Sequence, residues 1–391
     1  MEEGFSMARS NLKSSVADQS CTHLQVEAIT KECVNAAIHV ANENERTLIL
    51  RVLPEQVGSG PSNPGYLGFA GIADFVSYVK SRDVGGFIHL CRAGFGCLIA
   101  GANSISDVKI SLRRDLDAGV EFFHVDASRK LSRLRAWPER IELELELMQF
   151  ISIQSANRGN SPIFEIGGSG SLQGANDIAR FSTYIDTILE GCERLEIEEP
   201  TFASAQTGTS IRELSNVAAS PRPFSFENEE GVDTQLAETA DLAGFRGISL
   251  IAHDCDYLGG DYLGRLFQQG VAIACIGQEM GTHETQVFLQ LCDATRAASI
   301  RQDFLSLALS SKAWESSIAI GSCATEFEKA ILAGHHVFAT EEFKSIKARL
   351  QKRCGATGIS SEQTIRESHA TRIVSVLRHL GSRSEIPALP V

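Results

Sequence analysis

Two short segments carry residue types whose spacing could do chemistry. In the first, Asp126 follows the apolar run Phe122-Phe123-His124-Val125 and leads into Ala127-Ser128. A carboxylate at the end of so apolar a stretch loses hydration and needs a cation, a metal or a substrate hydroxyl to offset the cost. The plainer role for Asp126 or Ser128 is capping the start of a helix. In the second, His253 ends Ile248-Ser249-Leu250-Ile251-Ala252 and is followed closely by Asp254, Asp256 and Tyr257. A histidine beside carboxylates can ligate a metal or carry a proton, because its charge changes near neutral pH. It can equally be satisfied by a backbone carbonyl.

These residues must be positioned by regular elements, and the hydrophobic pattern supplies them. Short apolar runs predict strands over 47–53, 87–91, 121–126, 163–166, 201–205, 248–252 and 271–276, with a weaker one before Cys21. Helical periodicity lies between them, over 26–41, 72–79, 107–118, 138–154, 177–190, 234–242, 261–269 and 282–298. Pro138 suits a helix start, where its missing N–H costs nothing, and Gly119 suits a left-handed helix end. Repeated strand–helix units predict a parallel sheet, and eight of them predict closure into a (β/α)8 barrel. An open doubly wound sheet is the alternative. It calls for a glycine-rich turn after the first strand, which Gly58-Ser59-Gly60-Pro61 fits poorly. After about residue 300 the alternation gives way to helical stretches at 304–309, 325–332, 340–353 and 360–380. The expected organisation is a flexible 1–18, a barrel over 19–300 and an α-helical extension over 301–391 with a mobile tail.

In such a barrel the reactive groups sit at the carboxyl ends of the strands. That rule selects Arg51 and Gln56, then Cys91 and Arg92, Asp126 and Ser128, Ser169 and Ser171, and Gln206 with Thr207. The last two strands add His253, Asp254, Asp256 and Tyr257, then Gln278, Glu279 and His283. Asp126, His253 and Asp256 are the candidate catalytic residues. Gln56, Arg92, Ser128, Ser169, Tyr257, Gln278 and Glu279 are candidate substrate contacts. The turn Gly277-Gln278-Glu279-Met280-Gly281-Thr282 could present amides to an anion, but Glu279 opposes a phosphate there. Cys91, Cys255 and Cys275 read as packing thiols, His335-His336 as structural, and Arg113-Arg114 with 344–353 as solvated helix faces.

Composition narrows the class. With 391 residues, 43% hydrophobic and 22% charged, the chain can bury a full core. Its net charge of −13 and scattered basic residues exclude the basic footprint that nucleic acid or an anionic membrane surface requires. No apolar run approaches the roughly 20 residues of a membrane span, and the polar first 20 residues do not read as a secretory signal. Ten cysteines without a C-x-x-C pair suit free thiols in a reducing, cytoplasmic compartment.

Several segments, in order, resemble the Z-type subunit of class II tagatose-bisphosphate aldolase, a (β/α)8 relative of the class II fructose-bisphosphate aldolases. The similarity spans roughly Ser20 to Leu291. Leu48-Ile49-Leu50-Arg51 through Gln56-Val57 and Gly65-Tyr66-Leu67-Gly68 is similar to the family's strand, Gln-Val and Gly-Tyr-Thr-Gly loop. Asp117-Ala118-Gly119-Val120 and Phe123-His124-Val125-Asp126-Ala127-Ser128 are similar to its Ala-Gly-Phe and Ile-His-Leu-Asp-Ala-Ser. Ile166-Gly167, Ala252-His253 and Asp256-Tyr257 match further motifs. The departures are specific. Where the family has Gly-Asp-His-Leu-Gly, this chain has His89-Leu90-Cys91-Arg92-Ala93-Gly94; Thr-Glu becomes Gly168-Ser169, and Lys-Val-Gly becomes Cys275-Ile276-Gly277. No His follows Gln206-Thr207-Gly208.

The resemblance implies a sugar or sugar-phosphate substrate and a divalent metal such as zinc, with His253 as a ligand and His89 as a second if the third strand is shifted. The same resemblance implies a carbohydrate-metabolism enzyme of class II aldolase type, cleaving or forming a carbon–carbon bond in a phosphorylated or free ketose or a related polyol, with altered metal dependence. Its alternatives are a non-catalytic subunit stabilising a separate aldolase chain, or an epimerase or isomerase sharing the enolisation step. The partners expected are a small sugar molecule and an aldolase chain or a second copy of this one.

Overall fold

Period-two alternation along short strands fixes which side chains face inward. Ile49, Cys91, Phe122, Ile163, Phe202, Ile251 and Ile273 form one buried interior layer, joined by Leu12. Two residues further along the same strands come Arg51, Ala93, His124, Glu165, Ser204, His253 and Cys275, so the layer above is polar. The pleat turns successive side chains to opposite faces, and each strand reads as a short apolar run because both faces are buried, one in the barrel interior and one against the outer helices.

The computed structural model describes residue 12 and residues 22–58, 65–95, 104–127, 137–167, 178–205, 207–218, 229–319 and 321–380. Ten strands are found among them: β1 (His23–Glu27), β2 (Leu48–Val52), β3 (Ile88–Phe95), β4 (Phe122–Val125), β5 (Ile163–Ile166), β6 (Phe202–Ala205), β7 (Thr209–Arg212), β8 (Ser215–Ala218), β9 (Ser249–Ala252) and β10 (Val271–Ile276). Eight of these close a parallel barrel in the order β1-β10-β9-β6-β5-β4-β3-β2, while β7 and β8 form a separate antiparallel hairpin after β6. The helices are α1 (Lys31–Glu43), α2 (Pro54–Val57), α3 (Ile72–Lys80), α4 (Ile105–Asp117), α5 (Trp137–Ala156), α6 (Ile178–Leu195), α7 (Glu229–Gly244), α8 (Gly260–Gln268), α9 (Gln278–Ala294), α10 (Ala298–Ser310), α11 (Glu326–Ala333), α12 (Glu341–Gly355) and α13 (Ser361–His379). The expected (β/α)8 barrel is the fold, and Gly119 ends its helix at a positive φ of 85° as the pattern requires.

The first strand follows Cys21 instead of preceding it, which corrects the expectation there. Residues 23–27 are strand, and the helix starts only at Lys31, where the Thr30 hydroxyl accepts from the Cys33 amide at 3.0 Å. Apolar Val26 and Ile29 fall at helical spacing by coincidence, and the Thr30 cap is the signal that separates strand from helix. Likewise α9 starts at Gln278, four residues before the expected 282, so Gln278 and Glu279 belong to its first turn.

Beyond the barrel, α9 to α12 pack around a second apolar cluster that includes Phe288, Phe304, Ile331, Phe343 and Leu350. Helix α13 instead returns to the barrel wall against α1, α8 and α9. Its Ala370, Ile373, Val374, Val376 and Leu377 belong to the barrel's own core. The amide of Thr22 donates to the carbonyl of Leu380, tying the start of β1 to the end of α13. Apart from buried Leu12, the stretch expected to be flexible, 1–18, lies outside the described residues, as does the tail after 380. No described helix is long and apolar enough to cross a membrane. The described cysteines are free thiols, all buried except Cys323.

Candidate active site

The polar layer at the carboxyl end of the barrel is centred on Glu165. This residue is fully buried at the third position of β5. Its Oε1 accepts from Nε2 of His253, from the end of β9, at 2.5 Å. The Nε2 atom of His124, from β4, lies 3.6 Å from the same oxygen and donates to the Gly167 carbonyl at 2.6 Å. The two imidazoles stack with centroids 5.3 Å apart. Burial alone would push the Glu165 carboxyl up, but His124, His253 and Arg51 around it bring it down to about 2, so it is a permanent anion near neutral pH. Its Oε2 is buried with no hydrogen-bond partner among the described residues.

Arg51 supplies a cation to this layer from the end of β2. Its guanidinium pairs with Glu27 of β1 at 3.0 Å and donates toward Nδ1 of His124 at 3.3 Å. Burial pushes His124 down, only partly opposed by Glu165, so its ring is neutral. Gly167 makes the His124 contact available: its φ is 87°, and a Cβ there would lie 2.7 Å from the Ser204 carbonyl. Only glycine bends the strand end so sharply beside its neighbour.

The loop after His253 is held from three sides. Asn216 of β8 donates to the carbonyls of Asp254 and Asp256, both at 2.7 Å. The Asp256 carboxylate accepts from the amides of Gly277 and Glu279, both at 2.7 Å, at the start of α9. Burial raises it to about 7 against the pull of those two amides. Glu279 accepts from the Tyr257 amide at 2.7 Å and pairs with Arg372 of α13 at 2.5 Å. The Tyr257 hydroxyl bonds Thr282 at 2.8 Å. Asp254 and Tyr257 both have positive φ, 58° and 60°, which this bracing sustains.

Of the residues selected from sequence, His253 lies in the centre, and buried Asp126 follows His124 on the same strand end. Asp256, Tyr257 and Glu279 gather in the bracing of the His253 loop, and Gln278 donates to the Glu213 carbonyl at 2.8 Å. Gln56 serves Glu27, donating to it at 2.8 Å while accepting from the Leu53 amide. Arg92 is buried on the opposite side of β3, facing α4, where it pairs with Asp115 at 3.1 Å. His89 lies toward the amino end of β3, where it lines a small cavity with Val79, Phe122 and Ile163, so it is not part of the His253 cluster. Ser128 and Ser169 lie outside the described residues. Glu165 was not selected from sequence, although its parity with Ile163 in β5 puts it on the inward face.

No family model matches the chain, and no curated protein does. Solved structures do match its fold. A probable tagatose 6 phosphate kinase from Sinorhizobium meliloti 1021 aligns with TM-score 0.65 at 15% identity, covering 92% of this chain and all of that one. Fructose-bisphosphate aldolase from Campylobacter jejuni aligns with TM-score 0.56 at 10% identity, over 96% of this chain and 94% of that one. A putative fructose-1,6-biphosphate aldolase from Coccidioides immitis aligns with TM-score 0.50 at 13% identity, over 95% and 94%. The chain shares with these structures the TIM-barrel fold. The three donor atoms of His124, Glu165 and His253 lie within 4.8 Å of one another, a grouping of the size that could hold a metal ion.

Proposed function

We propose that the chain is an enzyme of carbohydrate metabolism, a carbon–carbon lyase of class II aldolase type acting on a ketose, phosphorylated or not, or a related polyol. The observation that carries this reading is the His253–Glu165 pair at the carboxyl end of the barrel, the end where barrels of this kind do their chemistry. The order of motifs shared with the Z-type tagatose-bisphosphate aldolase subunit supports the same substrate class.

The chemistry follows from the proton positions. With Nε2–H donated to a permanent carboxylate, the His253 ring presents its Nδ1 lone pair as a base. In the cleavage direction that nitrogen takes the hydroxyl proton of the β-hydroxy carbonyl substrate. The C–C bond breaks, the hydroxyl carbon becomes the aldehyde carbonyl, and the bonding pair moves into an enolate. The same proton, now on His253, is delivered to the enolate carbon. Glu165 stabilises the imidazolium in between, and buried Asp126 holds substrate hydroxyls.

The test is cleavage of a panel of free ketoses, ketose monophosphates and ketose bisphosphates by the purified chain, followed by aldehyde release. His253→Ala should lower kcat by about 100- to 10,000-fold, the usual worth of a positioned acid–base group. The reading is sunk if the wild-type protein neither cleaves nor catalyses solvent-deuterium exchange into any member of the panel.

A further inference from the structure

The contacts of His124 decide whether the three-residue grouping is a metal centre. A histidine that ligates a metal through Nε2 must present a lone pair there, and its outer nitrogen, then Nδ1–H, is normally met by a carbonyl or carboxylate. Here both nitrogens face the wrong groups. Nε2 lies 2.6 Å from the Gly167 carbonyl, which has only lone pairs and so requires a proton on Nε2. Nδ1 lies 3.3 Å from Arg51, a group with only donors, and so requires the lone pair on Nδ1. The two neighbours agree on one tautomer, and that tautomer cannot bind a metal at Nε2. Without His124 the grouping keeps two ligands, short of the roughly three protein ligands a catalytic zinc site uses.

We infer that this centre works without a metal ion, with Arg51 as the fixed cation of the barrel mouth and as the positioning residue that locks His124 in its non-ligating tautomer. The inference rests on the reading that this mouth is the active site, and it deepens that reading by naming the electrophile. An enolate needs a positive partner as it forms. Arg51 carries five N–H donors; contacts to Glu27 and His124 occupy two of them, and 16% of its side chain is exposed. Glu27 is in turn held by the Gln56 amide at 2.8 Å, so the guanidinium is anchored before substrate arrives. His253 is then the group of the trio that moves a proton, while His124 keeps its proton on Nε2 and Glu165 stays ionised.

Two measurements on the whole 391-residue chain test this. The first is metal content after growth in zinc-supplemented medium, together with titration of metal-stripped protein with cobalt(II), read by its visible absorption. Wild type should carry well under about 0.1 equivalent of zinc and give no tetrahedral cobalt band. Arg51→Gln should gain one, because its amide oxygen can accept from His124 Nδ1–H and release Nε2; adding His253→Ala to that variant should remove it. The second is the imidazole nitrogen-15 spectrum of wild type, with His124 assigned by its loss in His124→Gln. The proton should sit on Nε2. Stoichiometric zinc that leaves on His124→Gln or Glu165→Gln overturns the inference, as does a His124 proton on Nδ1. So does an Arg51→Gln protein that folds by circular dichroism yet binds no cobalt. Turnover that appears only with added metal would sink this inference and leave the lyase reading standing. A protein that turns over nothing still answers through cobalt and nitrogen-15.

Discussion

Two arginines on neighbouring strands show what one residue of offset does. Arg51 shares the parity of Ile49 and reaches the barrel interior, whereas Arg92 is out of phase with Cys91 and lies buried against Asp115 of α4. Its place at a strand end makes Arg92 a candidate, and its parity turns it away from the interior. Glu165 was missed for the converse reason, since a lone Glu in a four-residue apolar strand gives no local signal until the alternation is counted from Ile163. His253 and Asp126 were legible because each ends an apolar run. A further carboxyl, Glu144 of α5, bears on stability. Its two oxygens accept from the Ala127 amide at 3.0 Å and the Tyr184 hydroxyl at 2.8 Å, yet burial raises it to about 7. Because its folded value lies above the ordinary 4.5, folding favours its protonated form. That contribution is complete below about pH 4.5 and is lost as pH rises through about 7. Glu144→Gln keeps an acceptor and removes the charge. It should stabilise the protein by up to about 3 kcal/mol at pH 8 and by little at pH 5, measured by urea unfolding at both.

Elements outside the barrel set the geometry of the His253 loop. Arg372 of α13 grips Glu279, which holds the Tyr257 amide, while Asn216 of the β7–β8 hairpin holds two carbonyls of the same loop. Arg372→Ala leaves a partly buried carboxylate unpaired beside Asp256. It should cost about 1–3 kcal/mol, discounted for the exposure of the pair, and lower kcat more than it raises KM. Chemical denaturation and steady-state kinetics read the two effects separately. The regular strands and helices were legible from period and caps, because each strand is a short apolar run with a turn at its end. The hairpin was not, since Thr209–Arg212 and Ser215–Ala218 are polar and short, and only their pairing makes them strands. The first strand hid for a related reason: His23-Leu24-Gln25-Val26-Glu27 alternates as a strand, but its Val26 also fits the helix that follows.

At the scale of the whole molecule, closure joins distant parts of the chain. β1 pairs with β10 in register, His23 opposite Ile273, so no ring exists until the last barrel strand is present. The tandem of strand and helix made that closure readable. The return of α13 to the barrel wall was not, because its apolar stripe, Ile373, Val374 and Leu377 among them, does not say which partner it covers. Deleting residues 361–391 should uncover the outer face of α1 and give an aggregating or unfolded product, seen by size-exclusion chromatography and loss of a cooperative thermal transition. The same arrangement has a consequence during synthesis. At about 5–20 residues per second, the ribosome delivers α13 roughly 20–70 s after β1 and α1. For that interval the face of α1 that α13 covers stays open to solvent, and the nascent chain offers an apolar surface to chaperones until α13 emerges.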